Sequence, residues 1–240
     1  MGRHEEAPQS VIPVVVVAHP RRRKLVDRLI KQVNPDAIVW DDCNRGAGRN
    51  HMSAWKWLAD YDDAQGWGVV LEDDVVPSAG FRNHLGAALA NAPTPFVSLY
   101  LGRGRPLCYQ QRIAQKIASD VSYLTAPDLL SAQGYAMPVY LFRDAIRFLS
   151  VRMSRGKLPP DEGLSVWSRH RSIQVSHCRH SLVDHLDGKT LVRDHGDGQP
   201  RNGKTGLVTP DSAGGEDLPE IRRAWLRAGS HDWTRGSVAL

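Results

Sequence analysis

The sequence predicts an α/β fold, in which a mixed, mostly parallel β-sheet is flanked by helices and followed by an irregular C-terminal tail. Two observations predict it. Along residues 11–102, apolar runs alternate with stretches at helical spacing, and the links between them are short. The first run, VIPVVVVAHP at residues 11–20, has almost no polar alternation, which is typical of a strand buried on both faces. With 240 residues, 41% of them hydrophobic and 24% charged, the chain can form one such domain and a tail.

The elements follow from this alternation in order. Up to residue 102 the pattern predicts strands at 11–20, 37–40, 67–74 and 95–102, and helices at 21–33, 51–61 and 81–90. A glycine-containing loop, CNRGAGRN at 43–50, precedes the second helix. After residue 103 the alternation of strands and helices is less regular. There the sequence predicts strands at 134–142 and 171–176, with helices at 143–153 and 161–170.

These elements divide the chain into three segments. Residues 1–10 are expected to be a flexible N-terminus, 11–194 the folded domain, and 195–240 a glycine-rich, partly irregular tail. The start of the chain lacks the apolar stretch of a signal peptide, and VIPVVVVA is too short to span a bilayer. Three widely spaced cysteines disfavour a disulfide framework or a zinc knuckle. We therefore expect a cytoplasmic protein without a transmembrane segment.

The charge balance bears on partners. The formal net charge is +5 and the pI is about 9.3. A positive excess suits an anionic partner such as a nucleotide, a nucleic acid or a membrane surface, although an arginine-rich proteome would produce the same balance.

Polar side chains follow three predicted strands at the point where each strand ends: His19 to Arg23, then Asp41 and Asp42, then Glu72 to Asp74. In a parallel α/β sheet, ligands bind at the carboxyl ends of the strands. The sequence therefore predicts a ligand site at this edge.

The third of these groups lies in VVLEDDVVPS, where apolar residues surround three consecutive carboxylates. Like charges so close together repel, and burial raises their pKa values unless a cation or water meets them. Oxygen ligands of this kind suit Mg²⁺ or Mn²⁺. Strand periodicity places Glu72 and Asp74 on one face and Asp73 on the other. The alternative is an acidic turn that caps the helix near Phe81.

Other candidate groups each have an ordinary structural alternative. The loop GAGRN resembles a dinucleotide fingerprint, but His51 stands where the third glycine belongs, so that interpretation fails. Arg49 could contact a diphosphate or simply be solvated. Asp161 and Glu162 open a helix, where they either favour its dipole or supply a general base. His185 could complete a metal site or have no such role. Nucleophile-elbow, Walker and metalloprotease motifs are missing from the sequence, which disfavours serine hydrolases, kinases and peptidases.

Taken in order, the motifs VVVVAHPRR, RGAGRNHMSAW, VVLEDDVVPS, QGYAMP, PDEGLSVW and SLVDHLDG resemble those of GT-A glycosyltransferases, whose fold is Rossmann-like. The similarity is to the lipooligosaccharide and collagen-type galactosyltransferases and to short bacterial and phage enzymes near them, over roughly residues 11–190. It implies a nucleotide-sugar donor, usually UDP-linked, and a Mn²⁺ or Mg²⁺ ion on its diphosphate.

The resemblance also implies residue roles. Asp74 would be the leading metal ligand, with His185 joining it and with Glu72 and Asp73 supporting the metal and the donor. Asp161 or Glu162 would be the base of an inverting reaction. The residues that would line the nucleotide and the sugar are His19, Pro20, Arg21, Asp42, Arg49, Glu72 and Asp73. Because the motif is Glu-Asp-Asp, the residue types leave open which carboxylate binds the metal.

The acceptor and two further function classes stay open at this point. A modified DNA base, a glycan and a protein side chain all fit the basic balance as acceptors. The alternatives to sugar transfer are a metal-dependent phosphoryl-transfer enzyme, such as a nucleotidyltransferase or nuclease, and a non-catalytic nucleotide-binding module.

Overall fold

The computed structural model describes residues 12–42, 46–61, 66–102, 107–154, 158–186 and 231–240. Within these ranges, the strands are β1 (Val14–Ala18), β2 (Ala37–Trp40), β3 (Trp67–Glu72), β4 (Val75–Pro77), β5 (Val97–Ser98), β6 (Tyr123–Ala126), β7 (Gly134–Pro138), β8 (Val175–Cys178), β9 (Val183–His185) and β10 (Ser237–Ala239). The helices are a 3-10 turn (Pro20–Arg22), α1 (Arg23–Val33), α2 (Ala47–Ala59), α3 (Phe81–Ala90), α4 (Leu107–Lys116), α5 (Val139–Ser154) and α6 (Pro160–His170).

One mixed sheet organises the fold, in the strand order β10-β6-β8-β5-β7-β3-β1-β2. Strand β1 pairs in parallel with β2 and β3, β5 with β8, and β6 with β10. The pairings of β7 with β3 and β5, and of β6 with β8, are antiparallel. A separate antiparallel ribbon joins β4 to β9. The predicted fold class, a mostly parallel sheet flanked by helices, is confirmed.

Strand β1 separates the two halves of the core, as its uninterrupted apolar run predicts. Val14 and Val16 pack into a cluster with α1 and α3, whereas Val15 and Val17 pack into a second cluster with α2, α5 and α6. Successive side chains of a strand point to opposite faces, so a strand covered on both sides needs apolar residues at every position.

Several element boundaries differ from the predictions. The strand predicted at 134–142 ends at Pro138, where α5 begins at once. The strand predicted at 171–176 is only Val175–Cys178, because Ser172 has a left-handed φ of 54° that interrupts extended backbone. Helix α2 begins at Ala47 rather than at residue 51. The sequence analysis missed five described elements: α4, β4, β6, β9 and β10.

The segment predicted as a tail is described from residue 231 onward, and its last residues enter the main sheet. β10 pairs in parallel with β6, and the Trp233 ring packs 5.8 Å from the Tyr123 ring on that strand. The predicted flexible N-terminus, residues 1–10, lies outside the described residues. In the described part of the chain, every helix is too short or too polar to cross a membrane.

Candidate functional site

The site begins at the carboxyl ends of β1 and β3. These strands are parallel neighbours, and Val17 pairs in register with Glu72, so the residues that follow each strand emerge at the same edge of the sheet. After β1 the chain enters the 3-10 turn, and after β3 it turns through Asp73 and Asp74 into β4.

Asp73 and Asp74 meet cationic and backbone donors in this turn. The Arg22 guanidinium donates from Nη1 to Asp73 Oδ1 at 2.8 Å and to Asp74 Oδ2 at 2.5 Å. The His19 backbone N–H donates to Asp73 Oδ2 at 2.7 Å. The prediction that Asp73 points away from Asp74 is wrong, because β3 ends at Glu72 and the following turn directs both carboxylates to one arginine.

His185 approaches the same turn from the β4–β9 ribbon. It pairs in register with Val75, and its Nε2 lies 3.2 Å from Asp74 Oδ2. The structure therefore brings together Asp74 and His185, the two residues predicted as metal ligands, across 111 positions of sequence.

Burial and charge act in opposite directions on the pKa values of Asp73 and Asp74, which are only 4% and 6% exposed. Burial alone raises the pKa of Asp74, but the hydrogen bond and charge of His185, together with Arg22, outweigh it and hold that pKa below its usual value. At Asp73 burial prevails over the donors from Arg22 and His19, and its pKa is raised. Asp74 is thus the more strongly ionised member of the pair.

Asp74 has the features of a metal ligand. Its Oδ1 atom is buried and has no hydrogen-bond partner among the described residues, whereas buried polar atoms are normally paired. The described residues contain no group of three or more His, Cys, Asp or Glu side chains arranged around one ion. Asp74 and His185 would therefore supply two ligands, which fits an ion such as Mg²⁺ that keeps waters and binds substrate phosphates as well.

Glu72 has a different environment at the other end of the acidic stretch. Its side chain is 23% exposed, and its Oε1 lies 3.2 Å from His51 Nε2. His51 Nδ1 in turn lies 2.9 Å from the Tyr135 hydroxyl, which also accepts a 2.6 Å hydrogen bond from Trp55 Nε1. The sequence analysis missed His51 as a site residue. Its spacing of four from Trp55, which places both on one face of α2, is the signal that marks it.

Asp161 lies at the start of α6, close enough to Glu72 for the two charges to interact. Burial, and then the charges of Glu72 and Glu162, raise the pKa of Asp161 to about 6, against the hydrogen bond that the Glu162 N–H donates at 3.0 Å. Pro159 rather than Asp161 is the N-cap residue of α6. Of the two predicted bases, Asp161 is half-buried and near Glu72, whereas Glu162 is exposed.

The residues predicted to line the nucleotide follow the first two strands: His19, Pro20 and Arg21 come after β1, Asp42 comes after β2, and Arg49 lies at the start of α2. His19 caps the 3-10 turn, accepting from the Arg21 N–H at 3.1 Å, and Pro20 is the first residue of that turn. Arg21, Asp42 and Arg49 are exposed.

The sequence analysis gave no site role to Asn50, nor to Asp41, which it noted only at the end of the second strand. Asp41 accepts from the Gly46 N–H at 2.9 Å, and Asn50 Nδ2 donates to carbonyls of Ala18 and Val39. These two buried polar residues hold the ends of β1 and β2 together beside the loop.

No protein-family model matches the sequence, and no curated protein matches it. Among solved structures, the chain is similar to A197 from STIV, with 10% identity over 77% of this chain and all 100% of that one, at a TM-score of 0.40. It is also similar to the galactosyltransferase LgtC in complex with donor and acceptor sugar analogues, with 11% identity over 89% of this chain and 96% of that one, at a TM-score of 0.41. Similarity this low carries no argument about function, which must come from the site.

Proposed function

We propose that this chain is a metal-dependent glycosyltransferase of the GT-A type, which moves a sugar from a nucleotide-sugar donor, UDP-linked, to an acceptor hydroxyl with inversion. One observation carries the proposal. The buried carboxylate of Asp74, whose pKa is lowered and whose Oδ1 has no partner among the described residues, contacts His185 at the carboxyl edge of parallel strands. Asp161, a half-buried acid of raised pKa, lies beside the neighbouring Glu72.

The donor would bind over the ends of β1, β2 and β3. Arg21, in the 3-10 turn, and Arg49, at the start of α2, are exposed cations, and guanidinium groups pair well with phosphate oxygens. His19, Pro20, Asp42 and Asp73 would line the nucleoside. Arg22 is already held by both aspartates, so its guanidinium lies where the diphosphate would meet the acidic turn.

Asp74 and His185 would hold a Mn²⁺ or Mg²⁺ ion. When bound, such an ion stabilises the negative charge of a leaving diphosphate. The unpaired Asp74 Oδ1 supports this assignment, because a buried carboxylate oxygen without a donor is costly unless a ligand meets it.

Asp161 would act as the general base. A pKa of about 6 leaves it ionised at neutral pH and more basic than an ordinary aspartate. In the transfer, the Asp161 carboxylate takes the proton of the acceptor hydroxyl while the acceptor oxygen bonds to the anomeric carbon. The bond from that carbon to the diphosphate oxygen breaks, and the nucleoside diphosphate leaves with the electron pair.

The test is product analysis with Mn²⁺ and a panel of nucleotide sugars, in the presence of hydroxymethylated DNA, glycan and protein acceptors. We expect free UDP and a glycosylated acceptor. Pyrophosphate or cleaved nucleic acid would replace the proposal with phosphoryl transfer, and nucleotide binding without turnover would replace it with a binding module. The variant to compare is Asp74→Asn. Its matched control is Asp144→Asn, because Asp144 also pairs with an arginine, Arg171, but lies on α5 away from the acidic turn.

A further inference from the structure

Three buried ring residues connect Glu72 to the core behind the site. His51 and Trp55 lie on α2, and Tyr135 lies on β7, the antiparallel neighbour of β3. All three are at most 1% exposed, whereas Glu72 is partly open to water. A series of polar groups therefore runs from the dry core to a carboxylate at the surface of the site.

Hydrogen-bond chemistry fixes the direction of the first bond in this series and favours one direction for the other two. The indole nitrogen of Trp55 can only donate, so the Tyr135 oxygen is its acceptor at 2.6 Å. The Tyr135 hydroxyl keeps one proton to donate, and His51 Nδ1, 2.9 Å away, can accept it when that nitrogen carries no proton. A neutral His51 that accepts at Nδ1 carries its own proton on Nε2, from which it donates to Glu72 Oε1 at 3.2 Å.

Ring packing fixes the orientation of the imidazole. The His51 and Tyr135 rings stack with an interplanar angle of 13° and centroids 6.0 Å apart, and Trp55 presents an edge contact at 6.4 Å. The imidazole is therefore held on two sides, and its Nε2–H is aimed at one oxygen of Glu72. In the described part of the chain no other donor contacts that carboxylate.

We propose that Trp55, Tyr135 and His51 are positioning residues, which together hold the Glu72 carboxylate in one orientation beside Asp161. This inference rests on the proposed function in so far as Asp161 is the base. Through His51, this series of residues fixes the position of the Glu72 carboxylate, one of the groups whose charge acts on Asp161. The other groups that face Asp161 are Glu162, on its own helix, and the Tyr135 hydroxyl.

The experiment compares Tyr135→Phe with Tyr123→Phe. The first removes the hydroxyl in the middle of the series and keeps the ring. The second removes an equally buried hydroxyl that donates to the Ala88 carbonyl, on strand β6 away from the site, and so controls for a general loss of stability.

Two readouts need no substrate. By ¹⁵N NMR, we expect His51 of the wild type to be the neutral tautomer with its proton on Nε2, and a mixture of tautomers in Tyr135→Phe. By ¹³C NMR, we expect the Asp161 carboxyl to titrate near pH 6 in the wild type, and at a lower pH in Tyr135→Phe as Glu72 loses its fixed orientation. Tyr123→Phe should change neither.

The kinetic readout then tests the effect on turnover. In Tyr135→Phe we expect kcat to fall about tenfold with little change in the KM for the donor, and the acid limb of the pH–rate profile to move to lower pH. His51→Gln keeps a side-chain N–H donor that can reach Glu72 and should retain more activity than His51→Leu.

The outcomes separate the two proposals. A proton on His51 Nδ1 in the wild type, or an Asp161 titration that is the same in Tyr135→Phe and Tyr123→Phe, overturns the positioning role even if sugar transfer is observed. The expected NMR shifts without sugar transfer on any donor leave the positioning of Glu72 established and overturn the proposed function instead.

Discussion

The two ends of the acidic stretch, Glu72 on one side and Asp73 with Asp74 on the other, meet their surroundings through different chemistry. The aspartates are buried and contact charged donors, chiefly Arg22 and His185. Glu72 is partly exposed and contacts the His51 imidazole at the end of a series of packed rings. A guanidinium held by ion pairs can be replaced by another cation, whereas the His51 ring is held by packing on two sides. The aspartate end is thus suited to binding, and the Glu72 end to positioning.

The largest effect is expected at Asp74. Asp74→Asn removes the charge that holds the metal and should lower the rate of sugar transfer by about 10³-fold, while the circular dichroism spectrum stays that of the wild type. The measurement is release of UDP under saturating Mn²⁺. Asp144→Asn should keep wild-type turnover. Full activity of Asp74→Asn would remove the binding role of this end of the stretch.

Beside the Glu72 end of the stretch, Asp161→Asn should lower kcat by about 10²- to 10³-fold. It should also abolish the acid limb of the pH–rate profile near pH 6. The same change should stabilise the fold. The native state holds the Asp161 proton more tightly than the unfolded chain, whose pKa is near 3.8, so stability is lost as the pH rises from about 4 through about 6.

At pH 8 we therefore expect Asp161→Asn to raise the free energy of unfolding by about 1 kcal/mol, less than the shift alone implies because the side chain is partly open to water. Urea denaturation at pH 4 and pH 8 measures this. A variant that loses both activity and stability would indicate a structural role for Asp161.

Asp73 should act on donor binding more than on turnover. Asp73→Ala removes the acceptor of the His19 N–H and one contact of Arg22, which should weaken donor binding about tenfold and cost about 1–3 kcal/mol of stability. Asp36→Ala is a matched control, since Asp36 accepts the Val14 N–H at 2.7 Å and pairs with Arg82. It should lose similar stability and keep wild-type affinity for UDP in calorimetry. Equal donor affinity in both variants would contradict a nucleotide-binding role for Asp73.

The smallest expected effect is a gain in metal affinity rather than a loss of activity or binding. Arg22→Gln removes the cation that competes for Asp73 and Asp74, so Mn²⁺ should bind the donor-free protein about fivefold more tightly. Isothermal calorimetry without nucleotide measures this. Lys24→Gln makes the same charge change at an exposed position of α1 and should have little effect. Weaker Mn²⁺ binding in Arg22→Gln would show that Arg22 supports the ion rather than competing with it.

The fold was predictable where burial follows a local period. The β-branched run of β1, the strand at Ala37–Trp40 and the helix at Phe81–Ala90 have the predicted type, the last two with the predicted bounds. Strand β5, by contrast, is two residues long within a predicted run of eight, because pairing with β7 and β8 limits it. Strand β10 has an exposed, intermediate, exposed pattern and forms only because β6 offers it an edge.

By itself, the sequence determined that an α/β sheet forms and that acids cluster where its third strand ends, because residue type and local spacing decide burial and period. The tertiary structure alone decided that Arg22 contacts both aspartates and that His51 contacts Glu72, whereas the resemblance already implied that His185 joins Asp74. These contacts join residues from 21 to 111 positions apart. Strand register and the turn after Glu72 set them, and neither is written in a local pattern.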